Sequence, residues 1–249
     1  MNETMPPAAA AMAAIGPSKD GYFDCVKKPV YNFLFVLPLL IIYEALVLIS
    51  ATPIRNGADV IVKLFFNLIG IKTIIGFTLI IISIYAYIVF SNKETSNETI
   101  YPIYFVYMFA ESFVYALALG PVVIRLTEKV ALAAPAVYHL GPLERVIASI
   151  GAGIYEEFVF RYLLITFFIF IFTKYLNLKT IYASVFAIFW AAFIFSAFHY
   201  VGELGDKFDA VSFIFRFIAG IILSMLYFMR GYAIAVYTHA IYDLKVFFI

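Results

Sequence analysis

Residues 151–172 read GAGIYEEFVFRYLLITFFIFIF, in which two adjacent glutamates and one arginine interrupt an otherwise mostly apolar stretch. About 20 apolar residues, at a rise of 1.5 Å each, cross a hydrocarbon core of about 30 Å. Each charged side chain near the centre of a bilayer costs roughly 2.5 to 3.5 kcal/mol on insertion scales. Glu156, Glu157 and Arg161 therefore mark a candidate functional site inside a predicted transmembrane helix.

Apolar runs of the same length recur along the chain and predict a polytopic membrane protein. The seven runs are Val30–Ser50, Ile71–Phe90, Tyr101–Ile124, Gly151–Phe172, Ile181–His199, Val211–Met229 and Tyr232–Ile249. Two shorter runs, Val60–Gly70 and Val130–Leu140, predict interfacial or re-entrant segments, and either could supply an eighth helix. The predicted fold is all-α, a transmembrane helical bundle of seven to eight helices.

Composition agrees with this class, since 65% of the 249 residues are hydrophobic and only 13% are charged. The formal net charge is +1 and no basic run exceeds Lys27-Lys28, which argues against a nucleic-acid partner. Cys25 is the only cysteine, so no internal disulfide can form. Residues 1–28 are predicted as a flexible tail without a cleaved signal peptide, and residues 29–249 as one transmembrane domain with its catalytic helices in 143–249.

The order of the spans predicts that the ionisable residues meet at one depth. Glu156 lies early in one span, and His199 closes the next span, which runs back toward the same face. The last span returns toward that face with His239 near its middle and Asp243 one turn later. We expect these four final helices to surround a polar cavity, with the ends of Glu156 and His239 within about 12 Å of each other.

Helical spacing separates the two glutamates. Glu157 and Arg161 are four residues apart and so share a helix face, which favours a structural ion pair. Glu156 points about 100° away and has no such partner, so it is the candidate general base. Other ionisable residues lack a motif: interhelical pairing is expected for Glu44, Glu111 and Arg216, and an interfacial position for His139.

Three motifs in this order resemble those of the CAAX prenyl protease and bacteriocin-processing family of intramembrane endopeptidases: Glu156-Glu157-x-x-x-Arg161, Phe195-x-x-x-His199 and His239-x-x-x-Asp243. The resemblance extends over about Gly151 to Asp243, with Tyr43-Glu44 as a weak further likeness. It implies that the six ionisable motif residues form a catalytic site. In that site the first glutamate activates water, the histidine of the second motif assists, and the third motif forms an oxyanion site.

One motif position departs from the family, which often has asparagine where this chain has Asp243. An ionised carboxylate cannot donate a hydrogen bond to an oxyanion. Two interpretations stay open: a protonated Asp243 donates, or Asp243 orients His239 through a carboxylate hydrogen bond.

Metal chemistry is the competing interpretation of the same residues. The set Glu156, His199, His239 and Asp243 offers ligands that would suit Zn²⁺, although no His-Glu-x-x-His helix is present. The family has been described both as metal-dependent and as metal-free, and we expect catalysis without a cofactor.

The expected partners are membrane lipids and a peptide or protein substrate, for which a lipidated CAAX protein is a candidate. The expected location is that of a multi-pass integral membrane protein, in the cell membrane if the source is prokaryotic. Two alternatives from other classes remain. Buried Glu, His and Arg also build the proton relays of transporters, and the same fold can serve as a non-catalytic scaffold that binds proteins within the bilayer.

Overall fold

A computed structural model describes residues 21–50, 55–68, 82–83, 86–87, 91, 99–127, 140–202 and 205–248. All regular elements in these ranges are helices, which confirms the predicted all-α class. In chain order they are α1 (Gly21–Cys25), α2 (Pro29–Ile49), α3 (Gly57–Leu68), α4 (Pro102–Thr127), α5 (Pro142–Gly151, Ala152–Leu164 and Ile165–Lys174 in succession), α6 (Thr180–Phe198), α7 (Ala210–Arg230) and α8 (Tyr232–Phe248).

Four of these helices, α2, α4, α6 and α7, are long and apolar enough to cross a membrane. Their outward faces leave large apolar side chains uncovered, among them Phe113, Phe189 and Trp190. A soluble protein rarely exposes so much apolar surface, whereas a lipid-facing surface consists of it. The chain is therefore an integral membrane protein.

Helix α5 carries both glutamates, and its winding changes around them. The middle segment, Ala152–Leu164, is π-helical, so its backbone bonds reach five residues rather than four. The residues at both junctions keep right-handed helical dihedrals, so α5 continues without a break. Such segments are rare and occur frequently at functional sites. The sequence predicts ordinary α-helical spacing here, because the apolar pattern does not reveal a change of winding.

Helix α8 lies at the centre of the described helices and packs against α2, α4, α5 and α7. Its stretch 233–236 is fully buried. Gly153 of α5 permits a very close approach, since a Cβ there would lie 2.7 Å from both the Cβ of Ala240 and the carbonyl oxygen of Val236. Contact between these two backbones holds His239, the neighbour of Ala240, beside the glutamates of α5.

The relative direction of α5 and α8 agrees with the order of spans predicted from sequence. Arg145, near the start of α5, donates a hydrogen bond of 3.0 Å to the carbonyl oxygen of Phe247, at the end of α8. The carbonyls at a helix end have no partner within the helix, and a basic side chain can satisfy them. The first turn of α5 therefore lies at the same end of the bundle as the last turn of α8.

A network of buried charges attaches α3 to α2 and α5. Asp59 is fully buried and accepts a hydrogen bond of 2.7 Å from the hydroxyl of Tyr43. The Nζ of Lys63 lies 2.7 Å from Asp59 and 3.1 Å from Glu44. Tyr155 of α5 donates to the same glutamate at 3.0 Å. The N-terminal half of α3 is thus packed beside the part of α5 that carries Glu156.

Several sequence predictions concern segments at the ends of the described ranges. The described part of α3 has 12 residues, about 18 Å of helix, and the run Val60–Gly70 continues beyond it into residues 69–70, which lie outside the described ones, so an interfacial or re-entrant segment stays a prediction. Most of Ile71–Phe90 and all of Val130–Leu140 except its last residue lie outside the described residues. Within the predicted flexible tail, residues 21–25 form a helix and Val26 is buried, so the folded part begins by residue 21.

Candidate active site

Glu157 is completely buried and contacts two partners through one oxygen. Its Oε1 lies 3.0 Å from Nη1 of Arg161 in the ion pair predicted from helical spacing. The same oxygen accepts a hydrogen bond of 2.7 Å from Nδ1 of His239 on α8. An ionised carboxylate can only accept, so Nδ1 carries the proton. Glu157 therefore fixes the orientation of His239 as well as pairing with Arg161, a second task that spacing within one helix could not reveal.

Glu156 is also buried, and it has a partner that the sequence analysis did not find. Its Oε1 accepts a hydrogen bond of 2.8 Å from Nδ2 of Asn56, the residue before α3. Its Oε2 has no hydrogen-bond partner among the described residues and lies 3.9 Å from Nε2 of His239. This separation confirms the predicted approach of Glu156 to His239. One carboxylate oxygen is thus held by the amide of Asn56, while the other makes no hydrogen bond to the described residues.

His199 follows the last residue of α6, so the end of that helix positions it. Its Nδ1 lies 2.9 Å from the carbonyl oxygen of Phe195, one turn earlier. A carbonyl can only accept, so Nδ1 carries the proton, and Nε2 of a neutral ring is left as an acceptor. The imidazole is close enough to the Glu156 carboxylate for an electrostatic interaction. The second motif thus joins the first, as the order of the spans predicts.

Asp243 lies one turn after His239 on α8, with its Oδ2 3.6 Å from Nε2 of that histidine. This distance is too long for a hydrogen bond. The hydrogen bond that orients His239 is donated by its other ring nitrogen, Nδ1, to Glu157. Of the two interpretations of Asp243, the orienting one therefore has no hydrogen bond to support it, and the donating one stays a prediction.

Phe195 lies between the motifs and separates their charges from the apolar bundle. Its ring faces the guanidinium of Arg161 at 4.3 Å and the His199 ring at 5.0 Å, and the His239 ring lies 6.1 Å away. A guanidinium over an aromatic face gains about 0.5 to 2 kcal/mol. The phenylalanine of the second motif thus gives the buried arginine a second favourable contact besides Glu157.

The remaining ionisable residues divide into pairs and neighbours of the site. Glu44 pairs with Lys63 of α3, and Glu111 pairs with Arg230 of α7, as expected for interhelical ion pairs. Arg216 instead pairs with Asp206, in the connection before its own helix, at 2.5 Å. It also interacts electrostatically with His199 and Asp243, so it borders the site. His139 lies outside the described residues.

Sequence reasoning missed Asn56, the residue whose amide contacts Glu156. It stands 100 positions earlier in the chain, and no spacing rule connects the two. The available signal was local: an asparagine directly before Gly57 and an amphipathic run is typical of a helix N-cap. Such a signal predicts the start of a helix, but not the glutamate that the capping side chain contacts.

The described residues contain no preformed set of ligands for a metal ion. In the part of the chain that the structure describes, no three His, Cys, Asp or Glu side chains are placed to hold a metal ion. The set Glu156, His199, His239 and Asp243, proposed for zinc, does meet at the site, but not in such an arrangement. Catalysis without a cofactor stays a prediction, with zinc dependence as its alternative.

Comparison with known proteins identifies one family. Residues 141–245 match the family described as type II CAAX prenyl endopeptidase, Rce1-like. The match covers less than half of the 249 residues but includes all three motifs. No curated protein and no solved structure is similar enough to the chain to match it. In the segment 141–245 the chain is therefore similar to the Rce1-like family of type II CAAX prenyl endopeptidases.

Proposed function

We propose that this chain is an intramembrane endopeptidase that hydrolyses a peptide bond with a water molecule activated by Glu156. The family of residues 141–245 supports a CAAX-type intramembrane peptidase activity. The observation that carries the finer proposal is the state of the Glu156 carboxylate. One oxygen accepts from Asn56, and the other is buried, has no hydrogen-bond partner among the described residues and faces His239 at 3.9 Å. A general base needs such an available oxygen.

In the proposed reaction, Glu156 takes a proton from water while the water oxygen bonds to the scissile carbonyl carbon. The carbonyl becomes a tetrahedral intermediate with a negatively charged oxygen. Collapse of this intermediate breaks the C–N bond, and the protonated Glu156 delivers its proton to the leaving amine. The products are a carboxylate and an amine, so no covalent intermediate with the protein forms. His199, beside Glu156, helps to hold the water through its Nε2.

His239 is the proposed donor to the oxyanion. Its Nδ1 proton is engaged by Glu157, so Nε2 can donate only when the ring carries both protons. The carboxylates of Glu157 and Glu156 approach the ring at 2.7 and 3.9 Å and can balance its positive charge. A preorganised donor of this kind typically contributes about 10² to 10³ in rate. Asp243, when protonated, is the proposed second donor.

The proposed substrate is a peptide or protein held at the membrane. The site lies between helices of a lipid-facing bundle, so a substrate with a membrane anchor reaches it more readily than a free peptide does. A prenylated CAAX protein is one candidate, in agreement with the family description. In a prokaryotic source, we expect the chain to act in the cell membrane.

The proposal can be tested on the purified chain in lipid vesicles with a fluorogenic farnesylated CAAX peptide. We expect cleavage by the parent and a rate at least about 10² lower for Glu156→Gln. Glutamine keeps an oxygen that accepts from Asn56, so folding should be unchanged. Equal rates for the two proteins would contradict the proposed mechanism.

The same vesicles distinguish the peptidase from a proton-coupled transporter. A pH-sensitive dye inside them reports proton uptake when the peptide is added. Proton uptake without cleavage would favour the transporter. The absence of both uptake and cleavage would favour a non-catalytic scaffold. We expect cleavage without uptake.

A further inference from the structure

Asn56 lies outside the segment that matches the family, yet it contacts the proposed base directly. Its Nδ2 donates to Oε1 of Glu156 at 2.8 Å. Its Oδ1 accepts a hydrogen bond of 2.8 Å from the backbone N–H of Ala58, in the first turn of α3. The side chain thus caps α3 and binds Glu156 at the same time.

These two bonds leave the amide only one orientation. A backbone N–H can only donate, so the amide oxygen must face Ala58. The amide nitrogen must then face Glu156, where its hydrogens meet a carboxylate oxygen. A flipped amide would place an N–H donor against the Ala58 donor and an oxygen against the carboxylate. Capping of α3 therefore sets the direction of the donor to Glu156.

The close approach of Asn56 to α5 depends on Gly151. A Cβ at this position would lie 2.7 Å from Cε2 of Tyr43 and 3.0 Å from the Cβ of Asn56. The charge network of Asp59 and Lys63 holds α3 against the same surface from the other side. The position of Asn56 is therefore fixed by several elements rather than by its own helix alone.

We propose that Asn56 is a positioning residue for Glu156. Its amide binds Oε1 and so directs Oε2 toward water and the scissile carbonyl. This inference rests on the proposed function of Glu156 as the base. It extends the site beyond 141–245 and gives α3 a part in the chemistry.

Three substitutions separate positioning from capping. Asn56→Ser and Asn56→Asp keep an oxygen that can cap α3, but neither donates to Glu156 as the amide does: serine is too short, and aspartate brings a second carboxylate. Asn56→Ala removes both functions. For the serine variant we expect Tm close to that of the parent, KM within about twofold, and kcat at least about tenfold lower. For the aspartate variant we expect the same loss of kcat with a lower Tm, because its carboxylate faces that of Glu156. For the alanine variant we expect the same loss of kcat and a lower Tm.

A matched control removes the N-cap side chain of a different helix, α7. Asp209 caps α7 by accepting a hydrogen bond of 2.7 Å from the backbone N–H of Ser212, and it makes no contact with Glu156 in the structure. Asp209→Ala should lower Tm and leave kcat unchanged. If kcat falls in this control as much as in Asn56→Ala, and Asn56→Ser keeps the kcat of the parent, the loss reflects helix capping and the inference is overturned.

Glu156→Gln in the same assay keeps the two proposals distinguishable. If Asn56→Ser and Asn56→Asp keep the kcat of the parent while Glu156→Gln is inactive, the role of Asn56 is overturned. The proposed function then stays in place. Parent-like activity of Glu156→Gln overturns both. Loss of kcat in Asn56→Ser, Asn56→Asp and Glu156→Gln, with unchanged Tm in the serine protein, supports both.

Discussion

Glu156 and Glu157 are neighbours in the chain but have different partners in the fold. Glu157 binds Arg161 and His239 through its Oε1, and Glu156 binds Asn56 through its own Oε1. The second oxygen of each carboxylate is buried without a hydrogen-bond partner among the described residues, which costs free energy. The second oxygen of Glu156 lies 3.9 Å from Nε2 of His239, whereas Glu157 is engaged by both Arg161 and Nδ1 of His239. Glu157 is thus suited to support and Glu156 to chemistry.

Replacing Glu157 by Gln should destabilise the protein, because it leaves the guanidinium of Arg161 buried without its counter-charge. Breaking a buried pair by removing one partner costs about 3 to 5 kcal/mol. We expect a lower Tm in detergent than for the parent and for Glu156→Gln. Activity should also fall, since the glutamine no longer offers His239 a charged acceptor. A Glu157→Gln protein with parent stability and no activity would instead assign the base to Glu157.

Asp243 can be tested by introducing the residue that is frequent in the family. An asparagine at this position carries an amide donor at every pH, so Asp243→Asn should retain activity within about threefold of the parent and keep it toward higher pH. Asp243→Ala removes the donor and should lower kcat by about 10². Rates of both variants between about pH 5 and 9 check this. An inactive Asp243→Asn beside an active parent would show that the carboxylate itself is needed.

Between helices, the decisive contact is the one between the backbones of α5 and α8 at Gly153. Alanine is the better helix former by about 1 kcal/mol, so Gly153→Ala should stabilise an isolated helix. In the fold its Cβ would instead meet Ala240 and the Val236 carbonyl at 2.7 Å. We expect the two helices to separate and the protein to be destabilised by about 1 to 3 kcal/mol, which lowers Tm. We also expect kcat to drop at least about tenfold.

Gly120→Ala is the matched control for this prediction. Its Cβ would meet the ring of Tyr242 at 3.2 Å, at the contact of α4 with α8. A side chain can move by a few tenths of an ångström more easily than a backbone carbonyl can. Activity should therefore stay close to that of the parent. Equal effects of the two substitutions would contradict the importance of the α5–α8 contact.

The helices and their convergence could be predicted from the sequence, whereas the contacts that orient the site could not. Apolar length identifies a span, and the order of spans brings Glu156, His199 and His239 together. The bond from Asn56 to Glu156 joins residues 100 positions apart, and the bond from His239 to Glu157 joins residues 82 apart. Such pairs depend on how helices rotate and pack. The π-helical winding of Ala152–Leu164 is likewise set by packing rather than by an apolar period.

For the molecule as a whole, activity measurements on the purified protein can distinguish a metal-free from a zinc-dependent peptidase. If Glu156 alone activates water, incubation with a strong chelator should leave kcat unchanged. A zinc metallopeptidase treated in parallel should lose its activity and regain it with added Zn²⁺. Metal content measured on the same sample completes the test. Loss of activity with recovery on zinc addition would overturn the metal-free mechanism.

The unbroken length of α5 has a consequence for how the protein sits in its lipid. Its three segments contain 10, 13 and 10 residues, together at most about 50 Å, against a hydrocarbon thickness of about 30 Å. Such a mismatch is relieved by tilting or by letting one end project into the headgroups. Glu144 and Arg145 make the Pro142–Gly151 end the polar one. Glu156 follows Gly151 by five residues, so if the Pro142–Gly151 end projects into the headgroups, a thicker bilayer should submerge the carboxylate. Cleavage rates should therefore decline as the acyl chains of the host vesicles are lengthened.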